Sequence, residues 1–115
     1  MELKEISRQL SLEVKSAAEH LNTPITGGYA SDLLSCVMAK AQQGNVWITM
    51  QGHPNIVAVA SLLNLAGIII TEGIQPDATT LKKAQQNNLP ILTTPLTTYT
   101  LCGRLFELGV EGVDS

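Results

Sequence analysis

The chain has 115 residues, enough for one domain (residues 1–115) around one ordinary hydrophobic core. Apolar residues make up 44% of it and charged residues only 15%, so few charges cover the surface and apolar area remains for a partner. The net charge of −3, with no run of Lys or Arg, argues against a nucleic-acid surface or an anionic-membrane surface.

The opening MELKEISRQL is charged and has no apolar core ahead of a cleavage site. No uninterrupted apolar run approaches the roughly 20 residues of a membrane span. The expectation is a cytoplasmic protein without a signal peptide or a membrane segment. Cys36 and Cys102 lie far apart, each among apolar neighbours, and read as two buried thiols of a reducing compartment. No CxxC or close Cys/His pairing supports a disulfide or a metal.

In chain order, Leu3, Ile6 and Leu10 recur at helical spacing, which predicts a short helix over 2–9. Leu12 and Val14 alternate with polar residues and predict a short strand. Residues 16–23 read as a connection. Pro24-Ile25-Thr26 reads as a second strand closed by Gly27-Gly28, which permit positive φ. Ser31 is the expected N-cap of a helix reaching about residue 42, with Asp32 in its first turn. Leu33, Leu34, Val37, Met38 and Ala41 form its inner face, and Gly44-Asn45 ends it.

Val46 to Gln51 predicts a strand with Val46, Ile48 and Met50 on one face and Trp47 and Thr49 on the other. The run NIVAVASLLNL at 55–65 starts like a strand, but it is long for one and follows Pro54, so it is read as a helix. A helix this apolar is either deeply buried or pressed against another subunit. Ile68-Ile69-Ile70 has no alternation and reads as a strand buried on both faces. A helix over 77–87 and a strand over Leu89 to Thr93 follow. Thr97 is the expected cap of a last helix through Leu108, with Tyr99, Cys102, Leu105 and Phe106 facing inward and Gly109 as its stop. This order predicts an α/β fold, a three-layer α/β/α sandwich with a mostly parallel sheet.

In such sheets the loops after the strands meet the N-termini of the following helices on one edge. Here those loops hold Gln51, Gly52, His53 and Asn55; Thr71, Glu72 and Gly73; and Thr94 and Thr97. Thr26, Gly27, Gly28 and Ser31 form a second suggestive stretch, because paired glycines before a capped helix can cradle a phosphate. Together these are the candidate ligand-binding residues. The same residue types also serve ordinary strand-to-helix turns. No Walker A loop, GxGxxG, HExxH, GxSxG or zinc-ligand spacing is present, so no cofactor and no metal are expected. An enzymatic reading would need His53 and Glu72 to meet across the rim. His20 lies in a connection and reads as exposed.

GGYASDLLS, the strand-turn-helix of 46–65, IIITEGIQPD and PILTTPLTTY, taken in that order from about residue 2 to 109, resemble the DRTGG domain family. The chain carries Gly52-His53-Pro54 where members tend to have an Asp-Arg pair, and Thr71-Glu72-Gly73 where they tend to have Thr-Gly-Gly. A histidine contacts an anion more weakly than arginine does, and in a pH-dependent way. The resemblance implies a fold similar to the N-terminal, non-catalytic domain of HPr kinase/phosphorylase, and a regulatory or interaction module like those found beside CBS domains in regulated pyrophosphatases. The expected function is a non-catalytic regulatory module binding a nucleotide or other small anion at the rim. The alternative is a protein-interaction or homodimerisation module without a small ligand.

Overall fold

A computed structural model describes residues 1–114. The helices are α1 (Leu3–Gln9), α2 (Leu34–Lys40), α3 (Asn55–Leu62), α4 (Ala78–Gln86) and α5 (Thr98–Glu107), with a 3-10 turn at Ala18–His20. The strands are β1 (Glu13–Ser16), β2 (Gly27–Ala30), β3 (Asn45–Thr49), β4 (Gly67–Ile70) and β5 (Ile91–Thr93). They form one sheet in the order β1-β5-β4-β3-β2. β2 to β5 are mutually parallel where they pair, and β1 runs antiparallel to β5.

The pleat explains the three layers. Val46 and Ile48 of β3, Ile69 of β4 and Leu92 of β5 pack with Leu3 and Ile6 of α1 and Leu101 and Leu105 of α5. The alternate residues Trp47, Ile68, Ile70 and Ile91 pack with α2, α3 and α4 on the other face. Strands buried on both faces need helices on both sides, and the chain supplies them. The run at 55–65 is a helix over its first eight residues. Ile56, Val57, Val59 and Ala60 of α3 are buried in the core, while Leu62 in its last turn is 67% exposed.

Six expectations are corrected. Gly27 and Gly28 do not close a strand; they are the first residues of β2. A Cβ on Gly27 would stand 2.9 Å from the carbonyl oxygen of Glu111, and Gly28 donates its N–H to that oxygen at 2.8 Å. The glycines therefore let the C-terminal segment lie against the edge strand. Ser31 does not cap α2, whose N-cap is Leu33; its hydroxyl accepts from the Leu33 N–H at 3.1 Å in a local turn. Of the expected inner face of α2 only Val37 is fully buried, and Leu33 and Met38 are largely exposed because the helix starts later and shorter. Met50 lies past the end of β3 and is part-exposed. On α5 the buried residues are Leu101 and Leu105, whereas Tyr99 is 89% and Phe106 70% exposed. Both cysteines are free and only half-buried, and burial raises the Cys102 thiol pKa. Among the described residues no helix is long and apolar enough to cross a membrane.

Candidate functional site

The parallel strands β2 to β5 end on a common edge, and their following loops form a rim. Ser31, Gln51, Gly52, His53, Asn55, Thr71, Glu72, Gly73, Thr94 and Thr97 lie there. Thr26 and Gly27 do not. They sit at the start of β2, on the opposite edge, where Thr26 Oγ1 donates to the Gln43 carbonyl (2.8 Å) and accepts from Asn45 Nδ2 (3.1 Å). Gly28 follows them within the strand. The glycine pair and the rim are thus two separate places.

At the rim, three groups of the chain already occupy the positions an anion or acceptor would take. The Asp32 carboxylate oxygen Oδ1 accepts from Thr49 Oγ1 and from the Met50 N–H, both at 2.7 Å, closing the end of β3. The Glu72 carboxylate accepts from the Thr98 N–H in the first turn of α5 at 2.9 Å, and Thr97 accepts from Thr100 N at 3.3 Å as the cap of the same helix. Glu72 is held there by a left-handed backbone (φ 65°) and by its own N–H donating to Leu96 at 2.8 Å. The Gly73 N–H donates to Thr94, and Thr71 shares a 2.6 Å hydrogen bond with Thr98. Gln51 donates its side-chain amide to the Asp32 carbonyl.

The Gly52-His53-Pro54-Asn55 turn is built differently. Gly52 packs against the Gln75-Pro76 backbone, and its carbonyl accepts from Asp77 N (3.0 Å) and Thr80 Oγ1 (2.7 Å). The turn therefore ties β3 to the start of α4. His53 is exposed, and its Nδ1 accepts from the Asn55 N–H at 3.1 Å. That leaves Nε2 to carry the proton of the neutral ring. His53 serves α3 and Glu72 serves α5, helices of opposite layers, and each is engaged with its own helix.

Beside this turn, α3 and α4 enclose a groove of about 430 Å³ lined by His53, Pro54, Asn55, Val57, Ala58, Ser61, Lys83 and Asn87. Ser61 Oγ is the one buried side-chain polar atom without a hydrogen-bond partner among the described residues. The Lys83 ammonium is in no ion pair among them. Ser61 and Lys83 are absent from the sequence candidates; the one signal in the sequence is helical spacing, which puts Pro54, Val57, Ala58 and Ser61 on one flank of α3. Among the described residues no group of three His, Cys, Asp or Glu side chains could hold a metal ion.

The DRTGG domain family model matches residues 30–108. The resemblance expected from about residue 2 is thus recovered without α1, β1, the 3-10 turn and most of β2. A search of curated protein sequences gives no match. Among solved structures, the CBS and DRTGG domains of the regulatory region of Clostridium perfringens pyrophosphatase, crystallised with the activator diadenosine tetraphosphate, superpose with a TM-score of 0.73 at 23% identity. The match covers 97% of this chain and 48% of that one, so the chain spans about half of the neighbour's length. At that identity the likeness is one of fold. The family match, extending over most of the chain and containing β3 to α5, shows that the chain belongs to the DRTGG domain family.

Proposed function

We propose that this DRTGG domain is a non-catalytic regulatory module that takes a small anionic ligand of the nucleotide class at its rim, in the groove between α3 and α4. The observation that carries the reading is the groove itself. Its volume of about 430 Å³ is that of a small-molecule pocket. Its walls bring together an uncommitted ammonium at Lys83, the His53 ring, two side-chain amides and the unpartnered Ser61 hydroxyl. Val57 and Ala58 offer an apolar wall to a base or a similar ring. The centre of the rim supports the reading less, because Asp32 and Glu72 place carboxylates where a phosphate would sit. The solved neighbour is a regulatory region with a nucleotide activator bound, which supports the ligand class.

Thermal unfolding against mono- and dinucleotides, sugar phosphates and acyl phosphates tests this. A ligand at about a hundredfold excess over Kd stabilises by about 2.7 kcal/mol. The expected result is a rise in Tm that Lys83→Ala abolishes and His53→Ala reduces. No rise with any compound, or a rise unchanged in both variants, refutes it. A second reading, a homodimerisation module, is favoured by the exposed Tyr99 and Phe106 of α5.

A further inference from the structure

We propose that residues 109–114 form a detachable strap that closes the β2 edge of the sheet, and that the domain opens there while its core stays folded. The sheet ends in two edge strands, β1 and β2. An edge strand offers unpaired main-chain groups to any extended chain, so folded proteins blunt it or cover it. β1 is blunted by its own residues. It carries Glu13 and Lys15, which pair with each other at 2.9 Å, and its register against β5 breaks between Val14 and Ser16. β2, Gly27-Gly28-Tyr29-Ala30, has no charge, no proline and a regular register along β3. Its edge is covered instead, by the segment that follows α5.

The strand is built to take that cover. Glycine inside a strand weakens it, because there is no side chain to pack. Neither Gly27 nor Gly28 has a positive φ, so the backbone alone does not ask for glycine. Both make room for the strap. A Cβ on Gly27 would stand 2.9 Å from the Glu111 carbonyl oxygen, and one on Gly28 would stand 3.3 Å from Val110 Cγ1. Gly28 donates its N–H to the same Glu111 oxygen at 2.8 Å, and Gly28 and Gly112 form a parallel bridge. Gly109, at φ 99°, turns the chain out of α5 toward this edge.

The strap can leave with little loss to the core. Its bridge to β2 is isolated and not part of a ladder. Gly109, Glu111, Gly112 and Asp114 are exposed, and Val110 and Val113 are half-buried, so no residue of the segment is fully buried. Segments of this kind open at free energies below that of the whole domain. The opening has a reporter. Cys102 of α5 lines a hollow of about 190 Å³ that Val110, Glu111 and Gly112 also line. Cys36 lies on α2, in the opposite layer, and serves as the control.

Native-state hydrogen exchange of the full chain, in rising urea below the unfolding transition, tests the strap. The Gly28 amide is bonded to it. That amide is expected to exchange about tenfold or more faster than the Ile69 amide of the central strand β4, and with almost no dependence on urea. Val110→Ser removes the apolar anchor of the segment. An aromatic disulfide reagent is then expected to label Cys102 about tenfold or more faster than in the parent, while Cys36 labelling and Trp47 emission stay parental. Gly28 exchange that matches Ile69 in rate and in urea dependence shows that the strap leaves only with the whole domain, and overturns the proposal. So does a Val110→Ser chain in which Cys102 is labelled at the parental rate, or in which Cys36 accelerates as much as Cys102.

Discussion

Replacing Gly52 by alanine tests whether the turn after β3 is the clamp on α4. The new Cβ would stand 2.8 Å from the Gln75 carbonyl oxygen and 3.0 Å from Pro76 Cα. Both are backbone atoms and cannot rotate away. Overpacking of this kind costs about 1–3 kcal/mol. Relief requires the Gln75-Pro76 segment to move off, which stretches the bonds from Asp77 N and Thr80 Oγ1 to the Gly52 carbonyl. Each contributes about 0.5–1.5 kcal/mol. The expected destabilisation is about 2–4 kcal/mol. Urea unfolding followed by fluorescence of the single, fully buried Trp47 reads it as a lower midpoint at unchanged slope. Thr80→Val separates the parts. It removes one hydroxyl donor while Asp77 N still serves the carbonyl, so its cost is about 0.5–1.5 kcal/mol. The double variant costs less than the sum, because a displaced segment has already lost that bond. A Gly52→Ala chain within about 0.5 kcal/mol of the parent refutes the clamp.

Two further outcomes follow from the same geometry. Asp32→Ala leaves Thr49 Oγ1 and Met50 N without their carboxylate acceptor and costs about 1.5–3 kcal/mol in urea unfolding, while Asp32→Asn, which keeps an acceptor oxygen, costs less; equal losses in both show that charge rather than the acceptor is at work. Burial raises the Cys102 thiol pKa, so the folded chain keeps a proton that the unfolded chain releases. The stability from this group is then full below the ordinary thiol pKa and declines as pH rises through it. Iodoacetamide labels Cys102 several-fold more slowly in the folded chain than in urea at mildly alkaline pH, and equal rates refute the shift.

The architecture was legible because burial on two faces leaves a plain trace. Ile68-Ile69-Ile70 has no polar face, so it demanded helices on both sides, and β4 has them. Thr97 was legible as a cap because its hydroxyl stands directly ahead of the helical run that Gly109 stops, and it accepts from Thr100 N. Two of the misreadings share one cause: a contact with a distant segment overrode a local signal. Gly27 and Gly28 look like a turn, and only the arrival of residues 110–112 beside β2 explains them. Asp32 looked like a first-turn residue of α2, yet it holds the end of β3. Tyr99, Cys102, Leu105 and Phe106 share a helical spacing that reads as one inner face, but Leu101 and Leu105 fill the inner face of α5. Ser61 and Lys83 become neighbours only when α3 and α4 pack.

The polar turn between two buried runs has a use that neither strand nor helix explains alone. Its first residue, Gly52, fixes the start of α4 through Asp77 and Thr80. Its second, His53, accepts the Asn55 N–H at the start of α3. The two walls of the α3–α4 groove are therefore set by adjacent residues, so the groove's width at this end is decided by the turn's geometry. Ser61 on α3 and Lys83 on α4 lie in the last turns of their helices, so the turn acts on a ligand held between them through the placement of the two helices. Ligand affinity should then be sensitive to Gly52→Ala, a residue that does not line the groove, as well as to Lys83→Ala, which does. The two losses differ in kind. Removal of the ammonium weakens an anion's attraction and reduces the salt dependence of binding, since that charge is what salt screens. A displaced turn weakens binding by misplacing both walls and leaves the salt dependence in place. Titrations at two ionic strengths distinguish them, and a Gly52→Ala chain that binds with parental affinity would show that the turn holds the fold without shaping the groove.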